Sequence, residues 1–289
     1  MNDLIARLFV LLQQLLPKSL LTAFVYHVAR VRWGPLKNFL IRRFVALYDV
    51  DTSKLLHSVP EGYPNFNDFF IRELSPGART IDGGTNTIIS PVDGTVSARG
   101  QIEDDDIFQA KGLHYSLTDL LATDTDEATI YRGGSFITLY LAPYNYHRVH
   151  APLTGEIKSA HYIPGTLFSV NDSTVRCLPM LFARNERVAC HVQTASGPMV
   201  ILFVGAINVG TIYTKWTGDV RPRHKGIAED IDLSRSGRSF GKGETIGWFN
   251  LGSTVILLLP PGTSNQFVGI SAGDTVSMGQ AIGTLRDSR

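Results

Sequence analysis

The residues Val255-Ile256-Leu257-Leu258-Leu259 form an unbroken aliphatic run that begins with two β-branched side chains. A run of this length fits a strand buried on both faces and is too short for a core helix. The preceding Leu251-Gly252-Ser253-Thr254 then reads as the turn into that strand. Comparable segments occur at 88–98, 135–142, 147–162, 187–194, 198–212 and 253–260, punctuated by Gly, Pro or Asn. Glycine, 27 residues in all, is frequent beside them, as short strands with tight turns require. Short helices are expected at 67–74, capped by Asn67 or Asn65, and at 116–123, capped by Ser116. The expected fold is α+β and mostly β, in a chain whose 289 residues suffice for one large domain or two small ones.

The first fifty residues differ in kind. Apolar stretches at 8–16 and 19–29 are interrupted by Arg7, Pro17-Lys18, Arg30 and Arg32, so neither reaches the length of about 20 residues that a membrane-spanning helix needs. Leu4, Leu8, Leu11, Leu12 and Leu15 share one helical face, with Asp3, Arg7 and Gln14 on another. Seven Lys/Arg against Asp3 and Asp49 leave this region basic, whereas the whole chain carries a formal charge of only +1. Basic flanks, Trp33 and an apolar face suit helices lying in a membrane interface, with packing on the core as the alternative. Asp3 and the lack of a small-residue cleavage site argue against a secretory signal. The near-neutral balance gives no reason to expect nucleic-acid binding. Two cysteines, Cys177 and Cys190, make no disulfide framework, so a reducing compartment and a buried thiol are expected.

Chemistry enters through Ser253. Its hydroxyl can attack its own preceding carbonyl, and Gly252 places no side chain in the way. The ester so formed can eliminate to dehydroalanine and hydrolyse to a pyruvoyl group. Such an attack needs a histidine base held by a carboxylate. Tyr146-His147-Arg148-Val149-His150 offers two histidines, and Ser90-Pro91-Val92-Asp93-Gly94 offers an aspartate in a turn. Taken singly, each has an ordinary structural role available. No third ligand accompanies the two histidines, so no metal site is read there. Histidines 27, 57, 114, 161, 191 and 224 are scattered and receive no chemistry, and Glu103-Asp104-Asp105-Asp106 reads as a solvated loop. Residues 271–283 form a Gly-Asp-x-Val-x-x-Gly-x-x-Ile-Gly pattern, similar to half of the flattened β-sandwich of biotinyl and lipoyl carriers. No lysine follows Lys242, which speaks against carrier function. A Ser-His-Asp hydrolase remains a second reading, weakened by the missing Gly-x-Ser-x-Gly elbow.

Several segments in order resemble the bacterial, membrane-associated phosphatidylserine decarboxylases: Phe69-Phe70-Ile71-Arg72-Glu73-Leu74, Ser90-Pro91-Val92-Asp93-Gly94, Lys111-Gly112 with Tyr115-Ser116-Leu117, and Tyr146 to Pro152. The resemblance continues through Asn185-Glu186-Arg187, Val204-Gly205-Ala206, Asn208-Val209-Gly210 and Gly247 to Val255. It spans roughly 65–289, and residues 1–50 carry little of it. It implies a flattened β-sandwich or barrel-sandwich-like catalytic core at 51–289 behind a helical membrane-docking region at 1–50. It also implies a proenzyme that cuts itself between Gly252 and Ser253. A β chain, 1–252, and an α chain, 253–289, would result, the latter opening with pyruvoyl made from Ser253. By the same resemblance Asp93, His150 and Ser253 form the self-processing triad. The pyruvoyl cofactor forms a Schiff base with phosphatidylserine, and His147 protonates the carbanion left by CO2. The expected partners are phosphatidylserine, an anionic membrane surface on the cytoplasmic side, the two chains of one precursor and a second copy in a homodimer. Leu167-Phe168 and Leu181-Phe182 belong either to the docking surface or to the core.

Overall fold

A computed structural model describes residues 3–110, 112–122, 125–207, 211–221, 226–234, 237–263, 267 and 269–286. Lys111, Asn208-Val209-Gly210 and His224, all singled out in the sequence, lie outside the described residues. The aliphatic run is the strand Ser253–Leu259, every residue of which is buried. It pairs antiparallel with Ser135–Leu141 on one side and Gly197–Val204 on the other, so that Leu257 faces both Ile137 and Ile201. Burial on both faces and both edges explains its uniformly apolar composition. These strands centre a nine-stranded antiparallel sheet that continues outward through Arg187–Thr194 and Gly155–Ile163 on one flank and Gly94–Gln101 on the other.

A second, four-stranded sheet runs in the order 218–220, 212–214, 245–249, 148–150. The single strand expected at 147–162 is therefore two strands in two sheets, Arg148–His150 and Gly155–Ile163. Pro152 sits at the break, where it has no N–H to give a ladder, while Ala151 N donates to Glu244 O at 2.8 Å. The segment 88–98 splits likewise at the Ser90–Asp93 turn into 87–89 and 94–101. Residues 275–276 and 281–284 are strands as expected, pairing with 94–95 and 87–89. No sheet closes into a barrel among the described residues. The α+β, strand-dominated architecture thus agrees with the expectation.

Three helices precede the sheets: α1 (Asp3–Leu15), α2 (Lys18–Ala29) and α3 (Gly34–Tyr48). α1 turns Ala6, Val10 and Gln13 inward. There Gln13 donates to the Thr174 hydroxyl and accepts from Ser169 N. Its leucine face points the other way, with Leu8 at 55% and Leu15 at 76% exposure. Of α3, Ile41 is fully buried and packs with Val50, Leu55, Tyr63 and Phe69. The last of these sits on the short helix α4 (Phe66–Phe70), whose cap is Asn65, accepting from Asp68 N. No single helix among the described residues is long and apolar enough to cross a membrane, and α1 and α2 meet at 87°. Leu167, Phe168, Leu181 and Phe182 are all buried, which places them in the core rather than on a docking surface. Cys190 is fully buried, and Asp105 of the acidic run accepts from Ser116, Thr118 Oγ1 and Thr118 N.

Candidate active site

Ser253 stands where the chain passes from one sheet to the other. The strand Thr245–Phe249 of the small sheet ends, Asn250-Leu251-Gly252 cross over, and Ser253 opens the central strand opposite Leu141. Asn250 anchors the crossing by donating from its backbone to Thr211 O at 3.1 Å and from its side chain to the Thr211 hydroxyl. Both following residues are left-handed, Leu251 at φ 87° and Gly252 at φ 66°. A branched side chain at positive φ stores about 1–3 kcal/mol of strain. No heavy atom lies within 4 Å of where a Cβ on Gly252 would sit. The Ser253 and Thr254 hydroxyls are both fully buried, and neither has a hydrogen-bond partner among the described residues. Each orphan hydroxyl costs about 1–3 kcal/mol, a penalty that packing elsewhere must offset.

Of the two histidines, His147 adjoins this crossing, while His150 stands opposite Thr245 at the other end of the small-sheet strand. His147 precedes Arg148–His150, and its carbonyl accepts from Phe249 N at 3.2 Å, beside the Asn250–Gly252 crossing. Its Nδ1 lies 2.8 Å from Asn145 O. A carbonyl only accepts, so Nδ1 carries the proton and Nε2 the lone pair. That Nε2 is buried without a partner among the described residues. Burial, with the Arg72 guanidinium second, lowers the His147 pKa to about 3. Phe70 covers the ring at 4.1 Å between centroids. His150 lies at the far end of the same strand. Its Nδ1 donates to Gly243 O at 2.8 Å, and its Nε2 accepts from the Tyr146 hydroxyl at 3.0 Å. Burial lowers the His150 pKa and pushes that of Tyr146 up to about 12.

Asp93 adjoins His150 through the backbone, since His150 N donates to Pro91 O at 2.8 Å. Its carboxylate is taken up by a two-pronged ion pair with Arg79 and by Met278 N at 2.8 Å. The structure thus brings the Asp93 turn against His150 and sets His147 beside the start of the crossing. It joins Asp93 to His150 by no side-chain hydrogen bond, and neither histidine bonds Ser253. Three residues escaped the sequence reading as functional candidates. Arg79 is one. Arg72 is another, buried and donating to the carbonyls of Phe70, Tyr144 and Asn145, which holds the turn that carries His147. The third is Glu186, buried so deeply that its pKa rises to about 8. The Tyr162 hydroxyl donates to one of its oxygens at 3.2 Å, while the other has no partner among the described residues. Arg72 and Glu186 both fall inside quoted motifs, but nothing in the sequence separated a buried role from a surface one.

An apolar cavity of about 330 Å³ opens beside the crossing. Leu251 and Gly252 form one wall, Phe66 and Phe70 of α4 another, and Phe24 of α2 with Phe44 of α3 a third. A second cavity of about 240 Å³ lies around Arg72, Arg79, Asp93 and Tyr146.

Known proteins resemble this chain along nearly its whole length. A family profile described as phosphatidylserine decarboxylase matches residues 66–284, and a second, described as PSD, matches 8–49. The curated phosphatidylserine decarboxylase proenzyme of Methylococcus capsulatus is 43% identical over 280 residues, covering 97% of each chain. That of Marinobacter nauticus is 44% identical over 96% of this chain and 98% of its own, and that of Delftia acidovorans 46% identical over 91% and 92%. The chain belongs to the phosphatidylserine decarboxylase family. The match at 8–49 also corrects the expectation that the N-terminal fifty residues carry little family signal.

Proposed function

We propose that this chain cuts itself at Gly252–Ser253, converts Ser253 to a pyruvoyl group and decarboxylates phosphatidylserine to phosphatidylethanolamine at a membrane surface. The observation that carries this reading is the buried Ser253 hydroxyl, without a partner among the described residues and directly after two left-handed residues. Ser253 Oγ attacks the Gly252 carbonyl, its proton passes to a histidine, and the amide nitrogen leaves with a proton. The resulting ester eliminates to a Gly252 carboxylate and dehydroalanine, which takes up one water and releases one ammonia to leave pyruvoyl. His150 suits the role of base, being neutral with its lone pair on Nε2. The Tyr146 hydroxyl now occupies that lone pair, so it either yields to Ser253 or relays the proton. Asp93, fixed by Arg79, adds negative potential that favours the imidazolium formed in the step.

The fit of a pyruvoyl group rests on this chain's own atoms. Its position would be that of Ser253, buried at the start of a strand paired on both sides, so the new N-terminus stays fixed. When present, the group supplies a carbonyl that draws in the electron pair left as CO2 departs. His147 Nε2 offers a buried ring lone pair with no partner among the described residues. Neutral at rest, it takes a proton as the substrate amine becomes nucleophilic and returns it to carbon. Arg72 holds the backbone on which that ring hangs. The apolar cavity between α2, α3, α4 and Gly252 suits a lipid chain whose head group must reach Ser253. The outward leucines of α1, with Leu20, Phe24, Trp33 and Phe39, suit insertion into the interface, since so much exposed apolar area rarely faces water. Intact mass of purified protein tests the reading. Two chains broken after Gly252 are expected, the shorter lighter than an ordinary Ser253 peptide by one ammonia. A single uncut chain with full activity would refute it.

A further inference from the structure

Away from the crossing, the outer flank of the large sheet gathers two of the histidines that the sequence left without chemistry. His161 lies on Gly155–Ile163 and His191 on Arg187–Thr194. His161 is opposite Ala189, so His191, two residues on, stands on the same face as a diagonal neighbour. The rings meet edge to face with centroids 5.1 Å apart. The short helix Thr125–Thr129 lies over them and brings Glu127, whose Oε2 is 3.9 Å from the Nε2 of each histidine. One ligand atom from each of the three residues lies within 4.8 Å of the others.

We propose that Glu127, His161 and His191 bind a divalent transition ion of the zinc class, with Asp230 fixing His161 for ligation. Two features beyond proximity favour an ion. First, the side chain of His191 is only 12% exposed, and its Nε2 is buried with no hydrogen-bond partner among the described residues. A ring nitrogen aimed at another imidazole and a carboxylate, bonded to neither, is what an ion between them would satisfy. Second, Asp230 Oδ1 lies 2.6 Å from His161 Nδ1. A carboxylate on Nδ1 holds that proton and turns the Nε2 lone pair inward, the arrangement that supports ligating histidines. The Ser159 hydroxyl, 3.2 Å from His161 Nε2, is a weak rival that an ion displaces. Burial and the adjacent His161 lower the His191 pKa to about 4, which keeps that ring in its neutral, ligating form. Tetrahedral zinc, with bonds of about 2.0–2.2 Å, needs ligand atoms about 3.4 Å apart. Glu127, half exposed on its helix and 3.9 Å from each ring, closes its own gap by a side-chain rotation, and the two rings, whose ligand atoms lie within 4.8 Å, close theirs by turning toward each other. Three protein ligands leave the fourth position to water. An ion there would pin the Thr125–Thr129 helix and the 229–230 strand to the sheet, on a flank separate from Ser253.

The test uses untagged, full-length protein, stripped with chelator and titrated calorimetrically with Zn2+. One saturable equivalent per chain is expected. Asp230→Asn should weaken affinity about 10–100-fold. Glu127→Gln and His191→Gln should weaken it at least tenfold, and Co2+ bound to the wild type should show visible d–d absorption that His191→Gln abolishes. Glu127 and Asp230 are surface side chains, so their variants keep the test valid should His191→Gln misfold. No saturable binding by the wild type, or affinity unchanged in Glu127→Gln and Asp230→Asn, would overturn the proposal.

Discussion

Replacing Thr254 by valine should make the uncut chain more stable while slowing its cleavage. Thr254 pairs with Tyr140 and Val204 in the middle of the large sheet, is fully buried, and its hydroxyl has no partner among the described residues. Valine keeps the branched shape and the strand preference of threonine and removes only the orphan oxygen. A hydroxyl buried without a hydrogen bond costs about 1–3 kcal/mol, so the gain should be about 1–2 kcal/mol after some loss of contact at the methyl. For a chain of this size each kcal/mol moves the melting temperature by about 2 °C, giving a rise of about 2–4 °C. The comparison belongs in a Ser253→Ala background, where single and double variants are equally uncut and strand breakage cannot contribute. Guanidinium midpoints and calorimetric Tm of Ser253→Ala against Ser253→Ala/Thr254→Val read the difference directly. With Ser253 restored, Thr254→Val should slow cleavage about 10²–10³-fold if its hydroxyl stabilises the oxyanion. A less stable double variant would refute the reasoning, because it would mean the Thr254 hydroxyl is bonded in the folded chain.

Other expectations separate the remaining groups. His147→Ala should still be cut but decarboxylate poorly, whereas His150→Ala and Asp93→Asn should stall as one chain on a denaturing gel; the opposite pattern would exchange the two histidines. Glu186 is held protonated well above its unfolded pKa, up to about 8. Between about pH 4.5 and 8 the unfolded chain therefore releases this proton and the folded chain keeps it, so stability falls as pH rises, by at most about 1.4 kcal/mol per unit. Glu186→Gln should lose that slope in denaturation midpoints taken across the range, and parallel curves for the two proteins would show that Glu186 ionises freely. Leu8→Ser with Leu12→Ser and Leu15→Ser leaves the buried Ala6–Val10–Gln13 side of α1 untouched, and should reduce flotation with anionic liposomes without lowering Tm. Unchanged flotation would remove α1 from the docking surface.

Sequence reasoning reached the fold where one residue type answers one physical demand. Val255–Leu259 had to be buried on both faces, and it became the central strand. Ser116 and Asn65 had the side chains to cap helices, and they do. It failed where pairing over long range decides. Arg148–His150 and Gly155–Ile163 read as one strand because hydrophobic period does not report which sheet a segment joins, and Pro152 was the only local sign of the break. The site divided the same way. Ser253, Gly252 and the two histidines were visible as reactive types in turn or strand contexts. Arg79 was not, because its partner Asp93 is 14 residues away and a surface arginine looks identical in sequence. His161 and His191 look scattered in the sequence for a similar reason. Thirty positions separate them along the chain, and only the register between neighbouring strands places them on one face.

The position of Ser253 at a passage between two sheets has a mechanical consequence. Within a sheet, the Gly252–Ser253 bond would be held flat by ladder hydrogen bonds, and its carbonyl would face a neighbouring strand. At the crossing, the ladder begins only with Ser253, while Asn250 is tied back to Thr211 on the small sheet. Between these two fixed ends Leu251 and Gly252 take left-handed angles, costly for Leu251 and free for Gly252, and a cut after Gly252 frees the segment. The strand that follows loses nothing on cleavage, since its pairing with Ser135–Leu141 and Gly197–Val204 lies wholly beyond the broken bond. In the proposed function this separates two demands: strain sits at Leu251, next to the bond to be cut, and rigidity at the residue that must keep its place afterwards. Gly252→Ala probes the first demand alone. Its Cβ meets nothing within 4 Å, so the only cost is the left-handed angle, about 1–2 kcal/mol. If strain drives cleavage, a folded Gly252→Ala precursor that adopts this angle should be cut no more slowly than wild type. A strongly slowed cut in a precursor destabilised by no more than that angle costs would show that access to the carbonyl, rather than strain, limits the step.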